Sequence, residues 1–347
     1  MQTKPEILYI DAQVRGLPTT QRILAALPDV HTELITDLDS MQLPEDFLRA
    51  KQQWLMTQST KRWYHTMQHD GGTTTIEADF VMNAPYDCSY SPLPVIIARR
   101  PFLTIHVNIE EALADLGRRC AAQPGQQFRL RCGCLGDPLA MEPSLHLAEL
   151  LIPFFAWTPN ASLEFKTRAV TPTELKKIPH HGRTTILMTV TTERIIADEE
   201  RGSPSLADRC TALTQLAELG YPIGIVIDPI VQYPDWAADY RCLLETVAQS
   251  LPVKLLSRIE LSCFHYPRGL PVKVASRFPA SRIFFGELVP VNGCFRYLRQ
   301  VRTQIYQQLV GEIRRCMPQV PITIVDEHGI DTADLLQGVP PVTRTYC

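Results

Sequence analysis

The sequence predicts an α/β fold built on a parallel sheet or barrel. Strand-like and helix-like segments alternate from residue 78 almost to the C-terminus. Local start and stop signals frame several of the helices. Polar or reactive residues follow one strand after another, as chemistry does in barrels, where it gathers at the C-terminal ends of strands. These residues are Cys88, Asn108, Cys134 with Asp137, Lys166 with Arg168, Thr191 with Thr192, Asp228 and His265. Loops are polar in any protein, so the pattern marks where a site would lie and not what it does.

The first 70 residues read as a prefix. Residues 7–10 (ILYI) form a strand, 20–27 a short helix, 31–35 a strand and 47–56 an amphipathic helix. His65 and His69 stand four apart and would share a helix face. Two histidines with only Asp70 near them make a weak metal motif, and a packed or exposed pair is the expectation. Residues 71–75 (GGTTT) read as a linker or turn.

Beyond the linker come strands at 80–83 and 102–107. Asn108 and Glu111 form a plausible capping pair for a helix over 109–120. A strand follows at 127–133, then an apolar helix over 145–157 interrupted at Pro153. Further strands are expected at 162–167 and 184–190, with a short helix over 171–177 between them. Ser205 with Asp208 opens a helix that Gly220 closes. The strand 221–228, the helix 236–251, the strand 258–264, a long helix over 296–316 and a last strand at 321–325 complete the chain. Trp236 and Tyr240, four apart, suit a core-facing helix side more than a base-stacking platform. Arg296, Arg299 and Arg302, three apart, suit a basic helix face, either solvated or touching phosphate.

Composition narrows the class. The 347 residues are 45% hydrophobic and 20% charged, with a net charge of −3, so no global basic field advertises nucleic acid. There is no run of 18 apolar residues, and membrane attachment is not expected. The N-terminal residues lack the apolar core of a signal peptide, which leads to the expectation of a cytoplasmic protein. The ten cysteines include no C-x-x-C pair, so zinc-ribbon spacing is absent. Taken singly, each cysteine is expected to be a small buried apolar residue. Cys132 and Cys134 would share one face of a strand.

The stretch 78–108, ADFVMNAPYDCSYSPLPVIIARRPFLTIHVN, has clean strands at both ends and a middle run, 91–100, that fits neither. With YDC (86–88), LTIHVNIEEAL (103–113), CLGDPLAMEP (134–143), LEFKTR (163–168), GYPIGIVIDPIVQYPDWAADY (220–240), RFPASRIFFGEL (277–288), GCFRYL (293–298) and RTQIY (302–306), it resembles the spore photoproduct lyase family. That family is a branch of the radical S-adenosylmethionine proteins. The resemblance covers essentially the whole chain, and the 220–240 run is its most specific part. It implies a partial (β/α) barrel of radical S-adenosylmethionine type over 76–327, with a small N-terminal α/β extension over 1–75 and a tail over 328–347. It also implies S-adenosyl-L-methionine and a [4Fe-4S] cluster as cofactors, and pyrimidine lesions in DNA as substrate. Such a lesion must leave the base stack to be reached.

Carried over residue by residue, Cys88 matches the first cysteine of the family's C-x-x-x-C-x-x-C cluster motif. Pro92 and Val95 stand where the second and third belong, and neither offers iron a lone pair. Cys134 matches the hydrogen-donor cysteine. Asp137 and Lys166 join the cofactor-binding set, and Thr189, Thr191 and Thr192 stand where the family has Ser, Asn and Ser near the cofactor. Asn292, Gly293 and Cys294 replace a usual Gly-Lys pair, and Val325 replaces a cysteine found in some relatives.

Four explanations of residues 91–100 compete: a lost cluster and a pseudoenzyme, a local disturbance of the reading frame, a different ligand set such as Cys88 with Cys132 and Cys134, or a resemblance of fold alone. The functional expectation is accordingly a lyase-like radical protein acting on pyrimidine lesions. Its alternative is an inactive barrel that binds nucleic acid or a partner protein. A third reading is an enzyme that uses S-adenosylmethionine or another nucleotide with no cluster.

Overall fold

The structure is a computed structural model that describes residues 4–44, 46–59, 62–70, 72–325 and 335. Apart from Leu335, the expected tail 328–347 lies outside the described residues, as does Gly71 of the expected linker. The chain forms two compact units. The first comprises residues 1–85, 97–186 and 219–221, and the second 86–96, 187–218 and 222–347.

In the first unit, Ile7–Asp11 is flanked by Thr32–Ile35 and Gln53–Thr57, all parallel. Gln53–Thr57 continues, parallel, onto Leu103–His106, and Val81–Met82 closes that sheet antiparallel. The helix expected over 47–56 is therefore only Phe47–Gln52, and Gln53–Thr57 is a strand. Trp54, Leu55 and Met56 are consecutive and all buried, a pattern a two-sided central strand satisfies and an amphipathic helix does not.

The same unit holds a second run of strands. Thr66–Asp70 pairs antiparallel with Thr73–Glu77, which runs parallel to Gln127–Cys132 and so to Ala161–Thr167. Thr66–Asp70 and Thr73–Glu77 thus form a hairpin edge, which corrects the helix face expected for His65 and His69; of the linker or turn expected over 71–75, Gly72 is a turn and Thr73–Thr75 already belong to the second strand. His69 Nδ1 bonds the Thr74 hydroxyl across the hairpin, while His65 turns to Asp79. The helix Ile109–Ala122 starts at Asn108, but the Asn108 side chain does not cap it. Its Oδ1 accepts from the Ser59 N–H and its amide meets Glu111.

The second unit takes up the end of Thr184–Thr189 and continues through Ile223–Ile230, Leu256–Cys263 and Ile322–Ile324, the last three parallel. Helices Leu206–Glu218, Trp236–Ser250 and Arg299–Cys316 join these strands. Ser205 caps the first of them, accepting from the Asp208 N–H, and Gly220 follows with a φ of 87°. Tyr240 is fully buried, its hydroxyl accepting from the Val231 N–H. The long helix begins at Arg299, because Arg296 belongs to the strand Cys294–Tyr297. Arg296 and Arg302 are both buried, so the basic face expected from 296, 299 and 302 does not form. Among the described residues, no single helix is long and apolar enough to cross a membrane.

Candidate functional site

The expected site residues fall into one group in each unit. In the first, the strands Thr73–Glu77, Gln127–Cys132 and Ala161–Thr167 end side by side and bring Asp79, Cys134, Asp137 and Lys166 to one end of the sheet. The Asp79 carboxylate is buried and accepts from three consecutive backbone N–H groups, those of Gly133 (2.6 Å), Cys134 (3.0 Å) and Leu135. His65 Nε2 stands 3.6 Å from the same carboxylate. Burial raises the Asp79 pKa, and His65 and the three N–H groups work against that rise.

Two glycines make the turn possible. Gly133 has a φ of 99°, and a Cβ there would lie 2.1 Å from the Lys166 carbonyl oxygen. A Cβ on Gly136 would lie 2.0 Å from the Val81 carbonyl oxygen. Cys134 is presented on this turn, half-buried. Burial pushes its thiol well above the usual range, helped by Asp79 and Glu77, while Arg131 and Lys166 pull the other way. The sulfur is held as S–H, the form that can give up a hydrogen atom and a poor metal ligand.

Asp137 is fully engaged within the protein. Its oxygens accept from the Thr167 hydroxyl (2.7 Å), the Arg168 N–H (2.8 Å) and the Ala140 N–H (3.1 Å). It ties the Cys134 loop to the end of the Lys166 strand.

In the second unit, Thr189 ends its strand and gives its carbonyl to Arg209 (3.0 Å). Thr191 is buried against the Tyr240 hydroxyl. Thr192 caps the helix Glu193–Glu199 and bonds Tyr233. Asn292 and Gly293, both with positive φ, make the two-residue turn of a hairpin in which Cys294 faces Val291. Val325 is buried.

Cys88 lies in the same unit, in the two-residue strand Asp87–Cys88. That strand pairs antiparallel with Glu200–Arg201 and sets Glu200 opposite Cys88. The side chains around it bond to one another. Ser89 donates to Glu199, Tyr90 to Glu200, Arg209 to Glu200 and Arg277 to Asp87, and Ser281 donates to the second oxygen of Glu199. The run that follows is a short helix, Leu93–Ile96, with the Val95 N–H donating to the Pro92 carbonyl. Of this short helix, Leu93 and Pro94 are packed inward, whereas Ile96 is 52% exposed.

These residues do not fit a [4Fe-4S] cluster. A site-differentiated cubane needs three thiolates, and this loop supplies one, 3% exposed and held in a β-ladder. Among the described residues, no three His, Cys, Asp or Glu side chains gather as a metal-holding group; Cys132 and Cys134 belong to the first unit and Cys88 to the second. Asp79, Glu199, Glu200 and Arg209 were not singled out from the sequence.

Comparison with known proteins places this geometry. Among solved structures, the chain superimposes with a TM-score of 0.83 on a spore photoproduct lyase complexed with dinucleoside spore photoproduct, at 16% identity over 93% of this chain and 99% of that one. A mutant spore photoproduct lyase with bound AdoMet and the same dinucleoside matches equally, over 92% and 98%. The [FeFe]-hydrogenase maturase HydG from Carboxydothermus hydrogenoformans matches more distantly, with a TM-score of 0.51 at 13% identity over 78% and 58%. The fold is the partial (β/α) barrel of radical S-adenosylmethionine type expected above.

The family model of spore photoproduct lyase matches residues 76–301, and the chain belongs to that family. It is 23% identical to the spore photoproduct lyase of Bacillus subtilis over 202 residues, 58% of this chain and 59% of that protein. It is 24% identical to that of Clostridium acetobutylicum over 196 residues, 56% and 58%. The chain spans less than two thirds of the length of these curated relatives.

Proposed function

We propose that this chain is a cluster-free member of the spore photoproduct lyase family. On this reading it binds pyrimidine-type lesions in DNA at the strand ends around Cys134 and Lys166, within the partial barrel 76–327, and generates no radical of its own. The observation that carries the reading is the loop at Cys88, where Pro92 and Val95 have no donor atoms and Glu200 is zipped against the one cysteine. Lesion binding draws its support from the rigid Cys134 turn and from the likeness to a relative bound to dinucleoside spore photoproduct.

The second reading is an active lyase, favoured by one observation: Cys134 stands half-buried on the turn at the strand ends, its backbone fixed by Asp79, where a hydrogen-atom donor is wanted. One experiment separates the two. The protein is titrated with dinucleoside spore photoproduct, then reconstituted anaerobically with iron and sulfide and incubated with S-adenosylmethionine and a strong reductant. Saturable binding without 5′-deoxyadenosine or restored thymine is expected. Restored thymine would establish the active lyase, and absence of binding would remove the lesion from the account.

A further inference from the structure

We infer that the opposite end of the same strands carries a separate site for a nucleotide phosphate, independent of the lesion reading and of any cluster. An open cleft of about 400 Å³ lies there, lined by Lys176, Lys177, His180, His181, Leu219 and Tyr221 among others, all in the first unit. The loop 176–183 leads into Thr184–Thr189, and its Arg183 carbonyl accepts from the Leu163 N–H near the start of Ala161–Thr167. Lys166 and the Cys134 turn lie at the other end of that seven-residue strand, roughly 20 Å away.

The wall of this cleft is rigid. His180 stacks on Tyr221, with ring centres 3.8 Å apart and planes 19° from parallel. Both of its nitrogens are committed: Nδ1 accepts from the Gly182 N–H, so Nε2 carries the proton and donates to the Leu219 carbonyl. The Tyr221 hydroxyl donates to the Leu175 carbonyl. His181 holds a left-handed backbone with a φ of 47°, uncommon for a residue with a side chain, and its ring meets the Trp157 indole edge-on at 4.4 Å. Trp157 is 71% exposed, an unusual position for so large an apolar surface.

The charge is of one sign. Lys176 and Lys177 are exposed, and neither forms an ion pair among the described residues. Two unpaired ammonium groups at such a cleft suit a phosphate, and the exposed Trp157 indole, which touches His181 of the lining, suits the flat face of a base. The volume is in the range of small-molecule sites. The ligand class is therefore a phosphate carried on an aromatic base, either a free mononucleotide or the 5′-phosphorylated end of a strand.

The test uses the full iron-free chain, with indole fluorescence and calorimetry as readouts. The probes are thymidine 5′-monophosphate, thymidine, inorganic phosphate and a short oligonucleotide with or without a 5′-phosphate. Saturable binding of the mononucleotide in the millimolar range or tighter is expected, weakened about tenfold or more in Lys176→Ala/Lys177→Ala. Trp157→Phe should remove most of the quenching. Tighter binding of the 5′-phosphorylated oligonucleotide than of the mononucleotide assigns the site to strand ends, and the reverse assigns it to free nucleotides. The inference is overturned by absence of saturation, by an unchanged double-lysine variant, or by inorganic phosphate binding as well as the nucleotide. Both lysines are exposed, and circular dichroism of the variant confirms that its fold is intact.

Discussion

Glu200 stands directly across an antiparallel pair from Cys88, and its carboxylate is shared between the Tyr90 hydroxyl and the Arg209 guanidinium. The Glu200 and Arg209 side chains are both 0% exposed. The loop in which the family's cluster motif would lie is thus held by bonds the protein makes to itself.

Removing one partner from such a pair strands a buried charge. Glu200→Gln should therefore destabilise the protein by about 3–5 kcal/mol in urea denaturation. The exposed pair Arg241–Glu312 is the contrast, and Arg241→Ala should cost less than about 1 kcal/mol. Equal effects of the two variants would show that the loop is not held this way.

Gly133 is the position where the Cys134 turn tolerates no side chain. Gly133→Ala places a methyl group against the Lys166 carbonyl at a φ of 99°, so the turn must move. A loss of more than about 2 kcal/mol is expected, together with faster alkylation of Cys134 followed by peptide mass mapping. Unchanged alkylation would mean that the turn does not depend on this glycine.

Asp79→Asn removes a negative charge that raises the Cys134 pKa. The sign is therefore a fall: the thiolate should form, and Cys134 should alkylate, at lower pH than in the parent. The measurement is best made with the exposed Cys242 changed to serine. A higher or unchanged alkylation midpoint would contradict the placement of Asp79 beside the thiol.

Much of the fold is legible from residue order alone. Alternating periodicity located most of the strands after residue 78, and the Ser205–Asp208 cap and Gly220 bounded a helix correctly, because these signals act within a few residues. The errors are at places where distant pairing decides. Gln53–Thr57 is a strand because Ile7–Asp11 and Leu103–His106 lie on either side of it. Arg296 joins a strand because His265 lies directly opposite it in the pairing with His265–Pro267. The site shows the same limit. Cys134 and Lys166 could be read from strand ends, but Asp79 meets residues more than fifty positions away, and Glu200 meets Tyr90 across 110. No local pattern distinguishes those acids from solvated ones.

Glu142 gives the fold a pH dependence. It is buried, both of its oxygens accept from the Ala148 N–H, and burial raises its pKa from 4.5 to about 8. A carboxyl that holds its proton more tightly when folded stabilises the fold fully below its unfolded pKa. That contribution is lost as the pH rises through the folded value. Stability should fall between about pH 4.5 and 8 by a few kcal/mol, and Glu142→Gln should flatten that slope. An unchanged slope in Glu142→Gln would assign the dependence to other groups.

The central claim is that the Cys88 loop is complete without iron. Anaerobic reconstitution with excess iron and sulfide, followed by desalting and a count of bound iron and sulfide per chain, tests it directly. The account predicts iron far below one equivalent and no thiolate-to-iron absorption band. Stable retention of about four irons and four sulfides per chain would contradict it.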